Sequence, residues 1–420
     1  MRKSVSHMSF GRAILAAALA CGAAPCVVPA AVAAVTASTS LLPDIQTAPE
    51  GRWSRQAVKQ LIGVIQGAER EGFNPADYNL ATLRQAVDGA SGGTGPALDI
   101  LAEAAALRLA NDYHFGRVTD RSSMNWMIER SPYERAQLPD RLHAAANAGS
   151  LPSFYASLLP DNPRYAALRD ALAETDDPVM RDRIRVNMER WRWMPRAMGD
   201  DHIYVNVPSY KLDVVESGLV RSSYTVVVGA KATPTPLMIS PANSLVVNPS
   251  WYVPASIVKS ANIRAGQGGF RYKDLGNGAR AIVQAPGPRN ALGRIKFNLD
   301  NDQAIYLHDT PAKTAFKRDQ RALSHGCIRV SNIDQLASEL MSREGGDAVA
   351  LEQALAGADT QTLRLPHQWP VYLVYFTVDL DANGALTSYG DPYQYDNVIL
   401  AQLDGQRGGG AGTTLVALNR

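Results

Sequence analysis

The sequence predicts an α+β protein, with a helical N-terminal part followed by a mostly-β domain. Three observations carry this. Apolar residues recur at helical spacing from Ser54 to about Trp193. The pattern changes at Met194-Pro195. From His202 onward, short β-branched runs alternate with Gly-, Pro- and Asn-rich turns.

Ser54 is placed as an N-cap, with Val58, Leu61, Ile62 and Ile65 on one face before Gly72 ends the run. Asn79 opens a short helix carrying Leu80, Leu83 and Val87. Residues 89–96 form a Gly-rich loop, and Pro96 starts a long helix with Leu98, Leu101, Ala105, Leu109 and Tyr113. Further helical patterns cover 165–172 and 179–193, where Ile184, Met188 and Trp191 share a face. Residues 202–207 and 211–215 read as a hairpin around Pro208-Ser209-Tyr210. Strands are expected at 224–228, 245–247, 282–284, 295–297, 304–307 and 370–378. A helix at 331–341 carries the stripe Ile333, Leu336, Ala337, Leu340. Residues 254–288, rich in Gly, Ser, Asn and Arg, are long for a connection and read as an inserted loop, either functional or disordered. The last twenty residues read as a flexible tail from 401 to 420.

The N-terminus carries an export signal over residues 1–33. Arg2, Lys3 and Arg12 are basic, 13–24 are apolar, and Ala31-Val32-Ala33 is a small-x-small cleavage site. A membrane anchor is the main alternative, opposed by Pro25, Pro29 and the Ala-rich composition. Lipidation at Cys21 is disfavoured because Leu19 sits one position from where a lipobox wants it. An Ala/Thr/Ser/Pro-rich linker follows over 34–50. Removing the signal takes the formal net charge from +2 to −1, because three basic residues leave. A chain so balanced offers no electrostatic case for nucleic acid. Cys21 and Cys26 also leave, so of three cysteines Cys327 remains alone. A lone thiol is commonly buried and inert, and in an exported chain it invites oxidation, so its neighbours decide its role.

Those neighbours are Ser324-His325-Gly326-Cys327-Ile328-Arg329-Val330-Ser331-Asn332, preceded by Tyr306-Leu307-His308-Asp309. A thiol nucleophile needs a base or cation beside it. His308 ends a strand candidate, and a backbone carbonyl near Asp309 can orient its imidazole. Gly326 permits a tight turn, and N–H groups of a helix starting just after Cys327 can line an oxyanion hole. A chance cluster and a metal site are the alternatives. At most three ligands, without CxxC or HExxH spacing, make a poor zinc site.

His308 with Ser324-His325-Gly326-Cys327-Ile328-Arg329 resembles the signature of the L,D-transpeptidase (YkuD-domain) family. The segments Asn187-Met188-Glu189-Arg190-Trp191-Arg192-Trp193, Tyr204-Val205-Asn206-Val207-Pro208, 286–294 and 370–375 resemble its long, Gram-negative YcbB-like branch. The resemblance implies a helical scaffold domain over 51–194 and a catalytic domain over 195–400, with 254–288 as an inserted cap. No obvious peptidoglycan-binding module precedes the Met-Glu-Arg-Trp-Arg-Trp segment, and the cap looks short.

The resemblance further implies cofactor-free Cys–His chemistry in the periplasm, without metal or nucleotide. The partners are peptidoglycan stem peptides, as acyl donor and acceptor, and carbapenem-type inhibitors. Cys327 would form a thioester, His308 would move the proton, and His325 and Gly326 would complete the catalytic set. Tyr306, Ser324, Arg329 and Asn332 would face substrate. Arg329 would take a stem-peptide carboxylate, unless it pairs with an acidic neighbour of the fold. The product expected is a 3-3 cross-link, with 1-3 as the variant. Hydrolysis of the same acyl-enzyme and a non-catalytic wall scaffold are the rival functions.

Overall fold

The protein is described from a computed structural model over residues 53–89, 95–276 and 278–405. The export signal, the linker, Cys21, Cys26 and residues 406–420 lie outside these. The described residues fall within one compact unit, in which helices and strands share a core.

The helices are α1 (Arg55–Gln66), α2 (Leu80–Gly89), α3 (Pro96–Phe115), α4 (Pro132–Asn147), α5 (Leu151–Leu158), α6 (Pro163–Glu174) and α7 (Pro178–Trp193). The Ser54 hydroxyl accepts from the Ala57 amide and caps α1, as its sequence position predicts. Asn162 and Asp177 cap α6 and α7 in the same way, each followed by a proline that starts the helix with no amide to satisfy.

The second part contains β1 (His202–Asn206), β2 (Lys211–Glu216), β3 (Leu219–Gly229), β4 (Met238–Val247), β5 (Trp251–Tyr252), α8 (Ala255–Ser260), β6 (Phe270–Gly276), β7 (Ala279–Gln284), β8 (Ile295–Leu299), β9 (Leu307–His308), β10 (Ala322–Ser324), β11 (Ile328–Val330), α9 (Ile333–Met341), α10 (Ala348–Ala356), β12 (Gln361–Val374), β13 (Val378–Leu380), β14 (Leu386–Ser388) and α11 (Tyr395–Asp404). The large sheet runs β10-β3-β11-β9-β8-β4-β12-β1-β2, and β2 pairs back to β3, so the strands close into a barrel. The α9 stripe of Ile333, Leu336, Ala337 and Leu340 is buried in the core.

Four expectations change. The strand expected at 304–307 contracts to Leu307–His308, because Ala304 is left-handed at φ 53°. The last long strand starts at Gln361 instead of Pro370, with a register shift between Arg364 and Trp369 that accommodates its prolines. No helix directly follows Cys327: β11 intervenes, and α9 begins only at Ile333. Residues 401–404, expected in the tail, are the last turn of α11.

The two parts are joined by polar groups on α7. Glu189, Arg190 and Arg192 are almost wholly buried. Arg190 pairs with Asp396 of α11 at 2.7 Å. The Asn187 side chain donates to the Thr377 hydroxyl (2.8 Å) and accepts from the Thr377 amide (2.9 Å). Glu189 accepts from the Val118 amide (2.8 Å) and from the Trp193 indole (3.2 Å). Removing one partner of such a pair strands a charge in low dielectric. Asp396→Ala should therefore lower unfolding stability in urea by about 3–5 kcal/mol. The double replacement Arg190→Met, Asp396→Leu should recover most of the loss. A single replacement costing under about 1 kcal/mol, the scale of an exposed pair, would contradict this assignment.

Candidate active site

Cys327 sits at the end of a tight turn between β10 and β11. The Ser324 hydroxyl donates to the Cys327 carbonyl at 2.5 Å and accepts from the Gly326 amide at 3.2 Å. Thr235 donates to the Gly326 carbonyl at 2.7 Å. Gly326 takes φ 115°, where a side chain is strained, and a Cβ there would press on Ile305 at 3.2 Å.

The half-buried thiol donates to the Ala304 carbonyl at 3.5 Å. Burial raises its pKa. The backbone amide and hydroxyl of Tyr306, then Lys296 and Arg329, pull the other way without overcoming it. Tyr306 is itself pushed up by burial and by Cys327, while the Trp251 indole opposes the shift.

His308 is buried at the end of β9, with its ring 5.5 Å from that of Tyr306. Its Nδ1 meets the Asp309 carbonyl. A carbonyl can only accept, so Nδ1 carries the hydrogen and Nε2 keeps its lone pair. Burial, then Arg329, lowers the His308 pKa to about 3. The Asp309 amide donates to Ile295 O at 2.9 Å. Its carboxylate accepts from the Arg294 amide at 3.0 Å and binds Lys313. Gly293, at φ 62°, is required here because a Cβ would meet the Asp309 side chain at 2.3 Å.

Three adjacent strands set a row across one sheet face. Lys296 of β8 is the register partner of His308 of β9, which is the partner of Arg329 of β11. Directly opposed residues share a face, with Cβ atoms about 4.5–5.5 Å apart. Lys296 also lies over the Tyr306 ring, 4.6 Å from its centroid. The sequence gives no sign of Lys296, which stands outside the signature and arrives through strand pairing.

The expected residues divide accordingly. Cys327, Gly326, Tyr306, His308 and Arg329 are brought together. Ser324 is buried and its hydroxyl holds the turn, so the substrate contact expected of it is corrected to a structural one. Asn332 is exposed at φ 47° before α9, and its side chain does not cap that helix. His325 is exposed on the turn and points to no partner among the described residues. The oxyanion donors expected from a following helix are also corrected. The Ile328 amide is taken by Tyr306 O at 3.1 Å and the Gly326 amide by Ser324. His114 is buried in α3 with Glu134 at 3.1 Å, away from the thiol's neighbours.

The insertion forms its own sheet, β5-β7-β6, joined to α8. Asn290 anchors its base by donating to the carbonyls of Pro249 (2.9 Å), Gln284 (3.2 Å) and Ala285 (3.0 Å). Trp251 starts the insertion and packs on Phe270 with centroids 6.1 Å apart, which places the insertion beside Tyr306.

Residues 200–350 match the model of the L,D-transpeptidase catalytic domain, YkuD. Residues 200–350 belong to that family. Residues 49–172 match a scaffold domain. The chain is 30% identical over 327 residues to a candidate L,D-transpeptidase of Haemophilus influenzae, covering 70% of this chain and 65% of that protein, short of two thirds of its length. Among solved structures, an L,D-transpeptidase from Mycobacterium smegmatis aligns over 41% of this chain and 58% of its own, at 14% identity and TM-score 0.23. L,D-transpeptidase 3 from Mycobacterium tuberculosis, in complex with a faropenem-derived adduct, aligns over 42% and 60%, at 14% identity and TM-score 0.23. At these scores neither structure bears on the site of the YkuD domain.

Burial thus favours the neutral form of both the Cys327 thiol and the His308 imidazole in this domain. Alkylation of Cys327 by iodoacetamide should keep accelerating through and above the ordinary thiol range. A plateau of reactivity between pH 6 and 8 would instead mark a thiolate–imidazolium pair. His308 also sets a stability trend. Its pKa is lowered on folding, so the unfolded chain binds the extra proton first. Its contribution is full above the unfolded value near 6.5 and is lost as pH falls toward about 3.

Proposed function

We propose that the chain is a peptidoglycan L,D-transpeptidase working through a thioester on Cys327. The observation that carries this reading is the His308 imidazole, fixed by the Asp309 carbonyl with Nε2 left free to accept a proton, on the strand beside the thiol turn. His308 takes the Cys327 proton as sulfur attacks the carbonyl of an L-centre in the donor stem. The C–N bond breaks, and the leaving amine of the D-residue takes that proton. The acceptor amine then attacks the thioester, His308 carries its proton back to sulfur, and a new peptide bond closes. One acyl bond is exchanged for another, so no nucleotide is consumed. Tyr306 donates to the sulfur, and Arg329 takes a substrate carboxylate. Family membership of residues 200–350 supports this reaction class, and the export signal supports a periplasmic site of action.

The mature protein incubated with tetrapeptide muropeptides should yield dimers. Tandem mass spectrometry should place a diaminopimelate–diaminopimelate bond in them, with release of D-Ala. Dimers joining L-Ala to diaminopimelate would make the product 1-3. Shortened monomers alone, with abundant acceptor, would make the enzyme a hydrolase. Cys327→Ala should abolish turnover, and His308→Ala should cost nearly as much, because members of a catalytic unit fail together. Carbapenem exposure should add one drug mass per chain, lost in Cys327→Ala. An adduct on serine would refute the thioester.

A further inference from the structure

We propose that Lys296 is a specificity-determining residue that forms, with Arg329, a two-cation clamp for carboxylates flanking the scissile carbonyl of the donor peptide. The proposal rests on the transpeptidase reading of the same site and names the feature of the donor that the site reads.

The clamp follows from strand register. Lys296 and Arg329 flank His308 in one row across β8, β9 and β11, one cation on each side of the base. Both are partly buried, and burial disfavours the charge on each. Neither has a carboxylate within ion-pair distance among the described residues. Several other buried cations of the fold are paired with carboxylates: Arg190 with Asp396, Arg164 with Asp379, Arg117 with Asp77 and Asp112. Arg329 Nε is buried without a hydrogen-bond partner. Lys296 spends its charge on the face of Tyr306.

The thiol does not neutralise these cations, since burial keeps it protonated. His308 does not either. Two half-desolvated cations beside a neutral nucleophile form a site poised for an incoming anion. A stem peptide supplies carboxylates close to its L,D bonds, on D-Glu and on diaminopimelate. In register, Lys296 and Arg329 stand one strand to either side of His308, so each is placed to take a separate carboxylate.

The test uses the full mature chain and four donor tetrapeptides: unmodified, amidated at D-Glu, amidated at diaminopimelate, and amidated at both. Binding is measured by calorimetry on Cys327→Ala, with and without Lys296→Met, and turnover on the otherwise native protein. Lys296→Met should weaken binding of the unmodified donor roughly 10- to 100-fold, the loss of one charge-assisted hydrogen bond. It should raise KM far more than it lowers kcat. Amidation of one particular carboxylate should abolish that penalty, and Lys296→Arg should restore most of the affinity. An equal penalty against all four donors would overturn the clamp. So would a changed pH profile of iodoacetamide alkylation with unchanged KM, which would assign Lys296 to the thiol. Carboxylate-dependent binding without transfer by the native enzyme would leave the clamp standing and refute the transpeptidase. Transfer that ignores Lys296→Met would do the reverse.

Discussion

The buried pair between Arg190 and Asp396 is the constraint on which the site's geometry rests. Asp396 opens α11, and the segment leading into that helix returns to the nucleophile turn. Asp391 accepts from the amides of Tyr395 and Asp396 (both 3.0 Å). The Tyr393 amide donates to the Tyr375 hydroxyl at 2.9 Å, and the Tyr393 hydroxyl donates to Gly229 O at 2.8 Å. That hydroxyl also accepts from the Thr235 amide (3.1 Å), and Thr235 holds the Gly326 carbonyl. A chain of directed hydrogen bonds thus runs from α7 to the residue before Cys327. Buried polar residues of α7 are thus engaged in holding α7 to α11 and to Thr377 just after β12.

The barrel supplies the second half of the arrangement. Closure of β2 onto β3 leaves no slack in register, and a slip of one residue would turn Lys296, His308 and Arg329 to the other face. Two side-chain brackets guard that register. Asp309 ties the loop before β8 to the end of β9 through the Arg294 amide. Asn290 ties the base of the insertion to Pro249, before β5. Both lie in or beside the segment 286–294. In the sequence that segment stands out only by its resemblance to the YcbB-like branch, and its structure is a clasp.

Much of the molecule was legible in the sequence, for identifiable reasons. Ser54 and Pro96 place α1 and α3 because they act locally, and periodicity places α6 and α7, whose caps Asn162 and Asp177 emerge only in the structure. Helix α4 escaped because Pro139 lies inside it and its apolar residues are sparse. Cys327 and His308 stand in a linear motif and could be read directly. Lys296 could not, because only the pairing of β8 with β9 brings it to His308. Ser324 was misread for the converse reason. It lies in the motif, but its hydroxyl closes the turn. Motif membership fixes proximity along the chain, and only register fixes which face a side chain serves.

The row of charges also bears on how the Cys327 thiol stays protonated at rest. Oxidation and alkylation proceed through thiolate. Burial keeps Cys327 protonated, and its proton rests on the Ala304 carbonyl. The usual activation, a resident imidazolium, is suppressed because His308 is buried between two cations that repel a third. In the proposed clamp, a donor that places carboxylates against Lys296 and Arg329 would cancel that repulsion. The imidazolium can then form at the moment when sulfur has a carbonyl to attack. On the proposed clamp, resting inertness and substrate selectivity would follow from the same two positive charges, because the anion recognised would also be the one that lets His308 accept the proton.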